Sequence, residues 1–274
     1  MTHIETPDGV PLYYNERGEG DPIVFINGWT IDADYWWQQN VEALAEGHHV
    51  ITHDPRGHGL SGKTGDNHSL SDYAEDVEFL VNSLDLTNMT LVGWSLGGAI
   101  IQTYLERFGD DRVRAIGFIE QNPLYLSAED WEFGVFTEES LAGFVEALKT
   151  NRAEAGKAFI QDLFAEQRSE GQLAEMYART MLTPTAVATT ILTDLVTTDL
   201  RSQFSEIQVP TLLMYGEHEL PGLGEWMHEQ IPDSELVMFA ESGHSPFWEE
   251  PERFNTELAA FVSRVTDRER KAAD

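Results

Sequence analysis

Short strand-like segments, most of them apolar, recur along the chain at residues 23–26, 49–54, 89–92, 113–119, 210–215 and 236–239. The run Ile23-Val24-Phe25-Ile26 is apolar without interruption, as in strands covered on both faces of a parallel sheet. Between the runs the period changes to that of helices. A helix is predicted over about residues 33–45, and Ser71 reads as the cap of another whose core face is Tyr73, Val77, Leu80, Val81 and Leu84. Leu96, Ile100, Tyr104 and Phe108 form one apolar stripe of a further helix. The last helix has Pro251 in its first turn and is expected to bury Phe254, Leu258, Phe261, Val262 and Val265.

Strand and helix alternate, which predicts an α/β protein with a doubly wound, mostly parallel sheet. Residues 2–17 read as a hairpin turning at Pro7-Asp8-Gly9, with a second turn at Gly18-Glu19-Gly20-Asp21-Pro22. From 122 to 199 the strand signal is lost. Helical periods such as Leu141, Phe144, Val145 and Leu148 replace it, with dense aromatics and Met. This predicts a helical cap inserted after the sixth strand, over a core made of residues 1–121 and 200–266. The charged tail, 267–274, is expected to fray. The inner face of such a cap supplies an apolar pocket, for which Tyr125, Trp131, Phe136 and Phe247 are the candidate residues.

Composition narrows the function classes. With 41% apolar residues and seven Trp the chain is globular and not disordered. It carries 48 acidic against 17 basic residues, a formal net charge of −31, spread along its length. Phosphate contacts need basic patches, so nucleic acid is excluded as a partner. Dispersed carboxylates keep a protein hydrated at high ionic strength and repel one another at low salt, which points to a salt-accumulating cytoplasm. There is no Cys, hence no disulfide, thiolate chemistry or Cys-based zinc site. No apolar run approaches the roughly 18 residues of a membrane span. The first residues show no secretory signal, so a cytoplasmic, membrane-free protein is expected, as monomer or homodimer.

The candidate chemistry centres on Gly93-Trp94-Ser95-Leu96-Gly97. A strand before and a helix after put Ser95 at a sharp turn, its hydroxyl above the carboxyl end of the sheet. The N–H of Leu96 then points where an oxyanion forms, and the N–H of Trp29, in the loop after residues 23–26, is a candidate second donor. A serine hydroxyl needs a base oriented by an acid. His244 directly follows a strand and sits in a Gly-His-x-Pro turn, which makes it the candidate base. Glu120, Glu217 and Glu219 all lie at strand ends and are all candidate acids. His53 and His58 lack partners at ligand spacing and read as parts of a structural turn; no metal or cofactor is expected.

Asn27-Gly28-Trp29, Asp54-Pro55-Arg56-Gly57-His58-Gly59-x-Ser61, Gly93-Trp94-Ser95-Leu96-Gly97-Gly98 and Gly243-His244-Ser245-Pro246, followed by Glu250-Pro251-Glu252-Arg253-Phe254, together resemble the α/β-hydrolase family over nearly the whole chain. The resemblance implies the order nucleophile, acid, base, with the acid three residues after the glycine ending its strand, which is Glu219. The elbow, the loop Trp and Thr198-Asp199-Leu200-Arg201 are similar to pimeloyl-acyl-carrier-protein methyl ester esterases; some acyl-homoserine lactonases share the elbow and a Glu acid. Two positions depart from the family pattern. Asn27 stands where His is usual, and Glu219 where Asp is usual.

The expected activity is therefore hydrolysis of carboxylic esters of small to medium apolar substrates through an acyl-enzyme. A lactonase, a cofactor-free haloperoxidase or perhydrolase, and a slow-turnover small-molecule receptor are the alternatives on the same residues. Ser at position 95 argues against haloalkane dehalogenases and epoxide hydrolases, which carry Asp there. An acidic carrier protein is disfavoured as substrate by repulsion from this acidic chain.

Overall fold

The structure, a computed structural model, describes residues 2–273. Strand β1 (Thr2–Glu5) turns back into β2 (Pro11–Arg17), and β3 (Pro22–Ile26) follows. The predicted helix over 33–45 is two pieces, α1 (Ala33–Trp36) and α2 (Gln38–Leu44). It breaks at Trp37, whose indole N–H is drawn inward to Asn27 Oδ1 at 2.6 Å. Then come β4 (His49–His53), α3 (Leu70–Ser83), β5 (Met89–Trp94), α4 (Leu96–Phe108) and β6 (Val113–Ile119). The cap of α3 is Ser69 and not Ser71: Ser69 accepts from the Asp72 N–H while the Asp72 carboxylate accepts from the Ser69 N–H, a reciprocal pair that fixes the first turn.

Four helices follow β6: α5 (Glu138–Thr150), α6 (Arg152–Asp162), α7 (Glu170–Thr180) and α8 (Thr185–Thr197). Before them, residues 126–136 form only isolated bridges. The chain resumes the sheet with β7 (Thr211–Gly216), then α9 (Leu223–Gln230), β8 (Ser234–Phe239), α10 (Pro246–Glu249) and α11 (Pro251–Ala273). Helix α11 continues through the segment expected to fray, as far as Ala273; Asp274 lies outside the described residues.

The eight strands form one sheet in the order β1-β2-β4-β3-β5-β6-β7-β8. The β1–β2 and β2–β4 pairs are antiparallel and all others parallel. Alternation along the strands divides the interior into two cores. Val24, Ile26, Leu91, Ile116, Phe118, Leu213 and Tyr215 face the core shared with α3, α4, α8 and α9. Ile23, Phe25, Val92, Trp94, Ala115, Leu212 and Met214 face the one closed by α1, α2, α10 and α11, where Phe254, Leu258, Phe261, Val262 and Val265 are buried as expected. No helix among the described residues is long and apolar enough to cross a membrane.

The turn after β4 is tied down by hydrogen bonds to buried Asp54. Asp54 accepts from the N–H groups of Ala33 at 2.8 Å and Leu60 at 2.7 Å, and burial pushes its carboxyl up to about 7. Arg56 grips buried Asp76 with two N–H donors. His53 and His58 are buried and, by desolvation, stay neutral down to about 4 and about 3.

Candidate active site

Ser95 connects β5 to α4 with φ 52° and ψ −113°, a conformation that a non-glycine residue holds only under constraint, at about 1–3 kcal/mol. The constraint is visible in its neighbours. Its N–H donates to Ile119 O at 2.9 Å and its C=O accepts from Gly98 N–H at 2.9 Å. A Cβ on Gly97 would fall 2.1 Å from the carbonyl oxygen of Ile26, and one on Gly93 2.5 Å from the Gly97 backbone. Only glycine lets α4 start this close to β3 and β5. Ser95 Oγ is half-exposed into a cavity, with the Tyr125 hydroxyl 3.3 Å away.

His244 follows β8 and is held from two sides. Its carbonyl accepts the Trp94 indole N–H at 2.7 Å, which ties the histidine loop to the strand that carries Ser95. Gly243 N–H donates to Glu249 Oε2 at 2.8 Å. A Cβ on Gly216 would sit 2.2 Å from Gly243 O, so the end of β7 touches the histidine loop backbone to backbone. That contact delivers the residues after β7. Glu219 Oε1 stands 3.3 Å from His244 Nδ1, at ion-pair distance but short of hydrogen-bond alignment. Glu120 Oε2, at the end of β6, lies 3.8 Å from the same nitrogen. Glu217 is exposed; among the described residues, Glu219 and Glu120 are the carboxylates that pair with His244.

The Trp29 and Leu96 N–H groups belong to adjacent parallel strands' ends, since Ile26 of β3 pairs with Gly93 of β5. Leu96 opens α4, where the first N–H groups have no partner inside the helix. The Trp29 side chain reaches across to α8 and donates to Ala188 O at 2.8 Å. The unusual Asn27 has a definite task. Its Nδ2 donates to His53 O at 3.1 Å while Oδ1 takes the Trp37 indole N–H, so it stitches the loop after β3 to the end of β4.

The cavity holds about 530 Å³. Ser95, Glu120, Tyr125, Glu219 and His244 lie on its floor side, while Phe136, Phe144, Phe159, Leu192 and Val196 supply apolar wall. Two expected pocket residues are corrected. Trp131 is turned away, its indole N–H on Leu124 O at 2.6 Å and its ring against Phe133, Trp226 and the Arg201 guanidinium. Phe247 is fully buried beneath the site among Trp37, Trp94 and Phe254. The small residues Ala147, Ala155 and Ala158, which make room in the cavity, carried no signal in the sequence because alanine is at home in any helix.

A model of the alpha/beta hydrolase fold matches residues 21–251. The chain belongs to the α/β-hydrolase family. This α/β hydrolase is 30% identical to the AB hydrolase superfamily protein YisY of Bacillus subtilis, over 94% of the chain and 98% of that protein. It is 27% identical to the bifunctional esterase/perhydrolase DCH of Acinetobacter calcoaceticus, over 96% of the chain and 99% of the relative. Among solved structures, the esterase EaEST of Exiguobacterium antarcticum superposes with a TM-score of 0.90 at 29% identity, covering 96% of this hydrolase and 99% of the esterase.

Proposed function

We propose that this protein hydrolyses carboxylic esters of small to medium apolar substrates through a covalent acyl-enzyme. The observation that carries the proposal is the strained elbow serine opening into an apolar cavity that His244 also lines, with Glu219 3.3 Å from Nδ1 of that imidazole. Ser95 Oγ attacks the ester carbonyl as His244 Nε2 takes its proton. The N–H groups of Trp29 and Leu96 hold the oxyanion, and Glu219 orients the ring and stabilises the imidazolium. His244 then gives the proton to the departing alcohol. Water, deprotonated by His244, attacks the acyl-Ser95 and releases the acid. Residues 122–199 act as the cap over the core, shaping the acyl site.

The cavity supports a medium-length acyl group, with the alanines on α5 and α6 as the depth gauge. Ala158→Phe is expected to move the optimum of a p-nitrophenyl ester series from C2 to C12 toward shorter chains, with at least about tenfold loss of kcat/KM for the longest and little change for acetate. Equal losses at all lengths would place the acyl chain elsewhere.

A second reading has hydrogen peroxide replace water at the acyl-enzyme, giving a peracid; it is supported by the esterase/perhydrolase relative. Peroxide-dependent bromination in carboxylate buffer tests it. The acidic surface belongs to a protein adapted to high salt. Raising KCl from 0.1 M to 2 M is expected to lift the thermal midpoint by at least about 5 °C as carboxylate repulsion is screened. Equal midpoints would contradict that adaptation.

A further inference from the structure

Glu120 has features that a passive residue at a strand end does not need. It follows β6 with φ 48°, in the left-handed region, and its N–H donates to Met214 O at 3.2 Å. Its side chain is 1% exposed. One carboxyl oxygen, Oε1, accepts the N–H of Gly216 at the end of β7; the other, Oε2, faces His244 Nδ1. The same nitrogen is met by Glu219 Oε1 at 3.3 Å, whose side chain is 28% exposed. Two carboxyls, one sealed and one wetted, thus converge on a single buried imidazole nitrogen.

Both cannot comfortably be ionised so close together without water. Burial, then the charge of Glu219, then that of Glu249 hold the Glu120 carboxyl well above the usual carboxylate range. The other groups around the two carboxyls are His244, the hydroxyls of Tyr125 and Tyr215, and Asp162 of α6, which lines the same cavity and feels the charge of Glu219. Glu249 is already engaged by Arg168 and by the N–H groups of Ala165 and Gly243.

We propose that Glu120 is a positioning residue for His244: its carboxyl and that of Glu219 share one proton, and whichever of the two is ionised holds the Nδ1–H. In the resting protein the proton sits on sealed Glu120 and the negative charge on Glu219. Loss of Glu219 transfers the charge to Glu120, with the proton released to solvent or to His244. The proposal rests on His244 being the base of the site proposed above, but its test does not depend on ester turnover.

The test is a pH titration of the His244 imidazole by NMR in the wild type, Glu219→Gln, Glu120→Gln and the double variant, with His244→Gln supplying the assignment. Gln keeps the acceptor for Gly216 N–H, so the fold has its bond. In either single variant the His244 titration midpoint is expected to stay within about half a pH unit of wild type, because one anion remains; in the double variant it falls by about one unit or more. Where esters are turned over, kcat/KM follows the same pattern: losses of about tenfold or less in each single variant and at least about a hundredfold more in the double. A midpoint in Glu219→Gln as low as in the double variant overturns the shared pair, since Glu120 then takes up nothing. So does a full fall in Glu120→Gln alone. If Glu120→Gln does not fold, the comparison of wild type with Glu219→Gln decides by itself, a fall of about a unit overturning the proposal. Absence of ester turnover in all four proteins refutes the esterase and leaves the titration result standing.

Discussion

Ser95→Ala is expected to lower kcat for p-nitrophenyl esters by about four to six orders of magnitude while leaving the protein folded. On the proposed mechanism the nucleophile is lost outright, and what remains is the proposed oxyanion donors and substrate binding, which sustain a small residual rate over water. Stability should change little. Among the described residues the Tyr125 hydroxyl, at 3.3 Å, is the hydrogen-bond partner of Ser95 Oγ, and Ala suffers much the same strain at φ 52° that Ser already bears. The measurement is steady-state hydrolysis in about 2 M KCl together with a thermal midpoint. A variant that is folded and fully active would remove Ser95 from the chemistry.

Gly97→Ala should act in the other way, through the backbone. Its Cβ would lie 2.1 Å from the carbonyl oxygen of Ile26 and 2.8 Å from the carbonyl carbon, both main-chain atoms that no rotamer change can move. Either β3 or the first turn of α4 must shift. A loss of about 2–4 kcal/mol is expected, with at least about a hundredfold loss of kcat, because the shift displaces Ser95 and Leu96 relative to His244. Urea unfolding and ester kinetics read the two effects. Gly143→Ala is the control: nothing lies within 4 Å of a Cβ there and the residue is inside α5, so about 0.5–1 kcal/mol of gain is expected. Equal behaviour of the two variants would show that the elbow is not packed as described.

The sheet and its winding were legible because buried parallel strands such as β3, β5 and β7 advertise themselves as largely apolar runs; β4 carries polar residues and β8 is half-buried, and both were found from their spacing between helical segments. Ser95 and His244 stood out as candidates because each follows a strand beside a glycine, whereas Glu219 was singled out from Glu120 and Glu217 only by the family resemblance. What stayed hidden depended on distant side chains. Ser69 in place of Ser71 turned on which serine could exchange bonds with Asp72. The break in the first helical segment came from Trp37 reaching Asn27, ten residues back in the chain. Trp131 and Phe247 were expected at the pocket for their size, but large aromatics are the main currency of any core, and Trp131 serves the 125–136 segment while Phe247 fills the layer under Trp94. Glu120 was visible only as one of three acids in a chain rich in them; its burial and its approach to His244 belong to the fold.

The covalent intermediate tests the central claim most directly. Wild-type protein mixed with p-nitrophenyl butyrate in about 2 M KCl and quenched in acid within milliseconds should gain the mass of one butyryl group, on the peptide that contains Ser95, and Ser95→Ala should gain none. Ester turnover with no acyl group on Ser95, or an acyl group equally present in Ser95→Ala, would contradict the serine hydrolase described here.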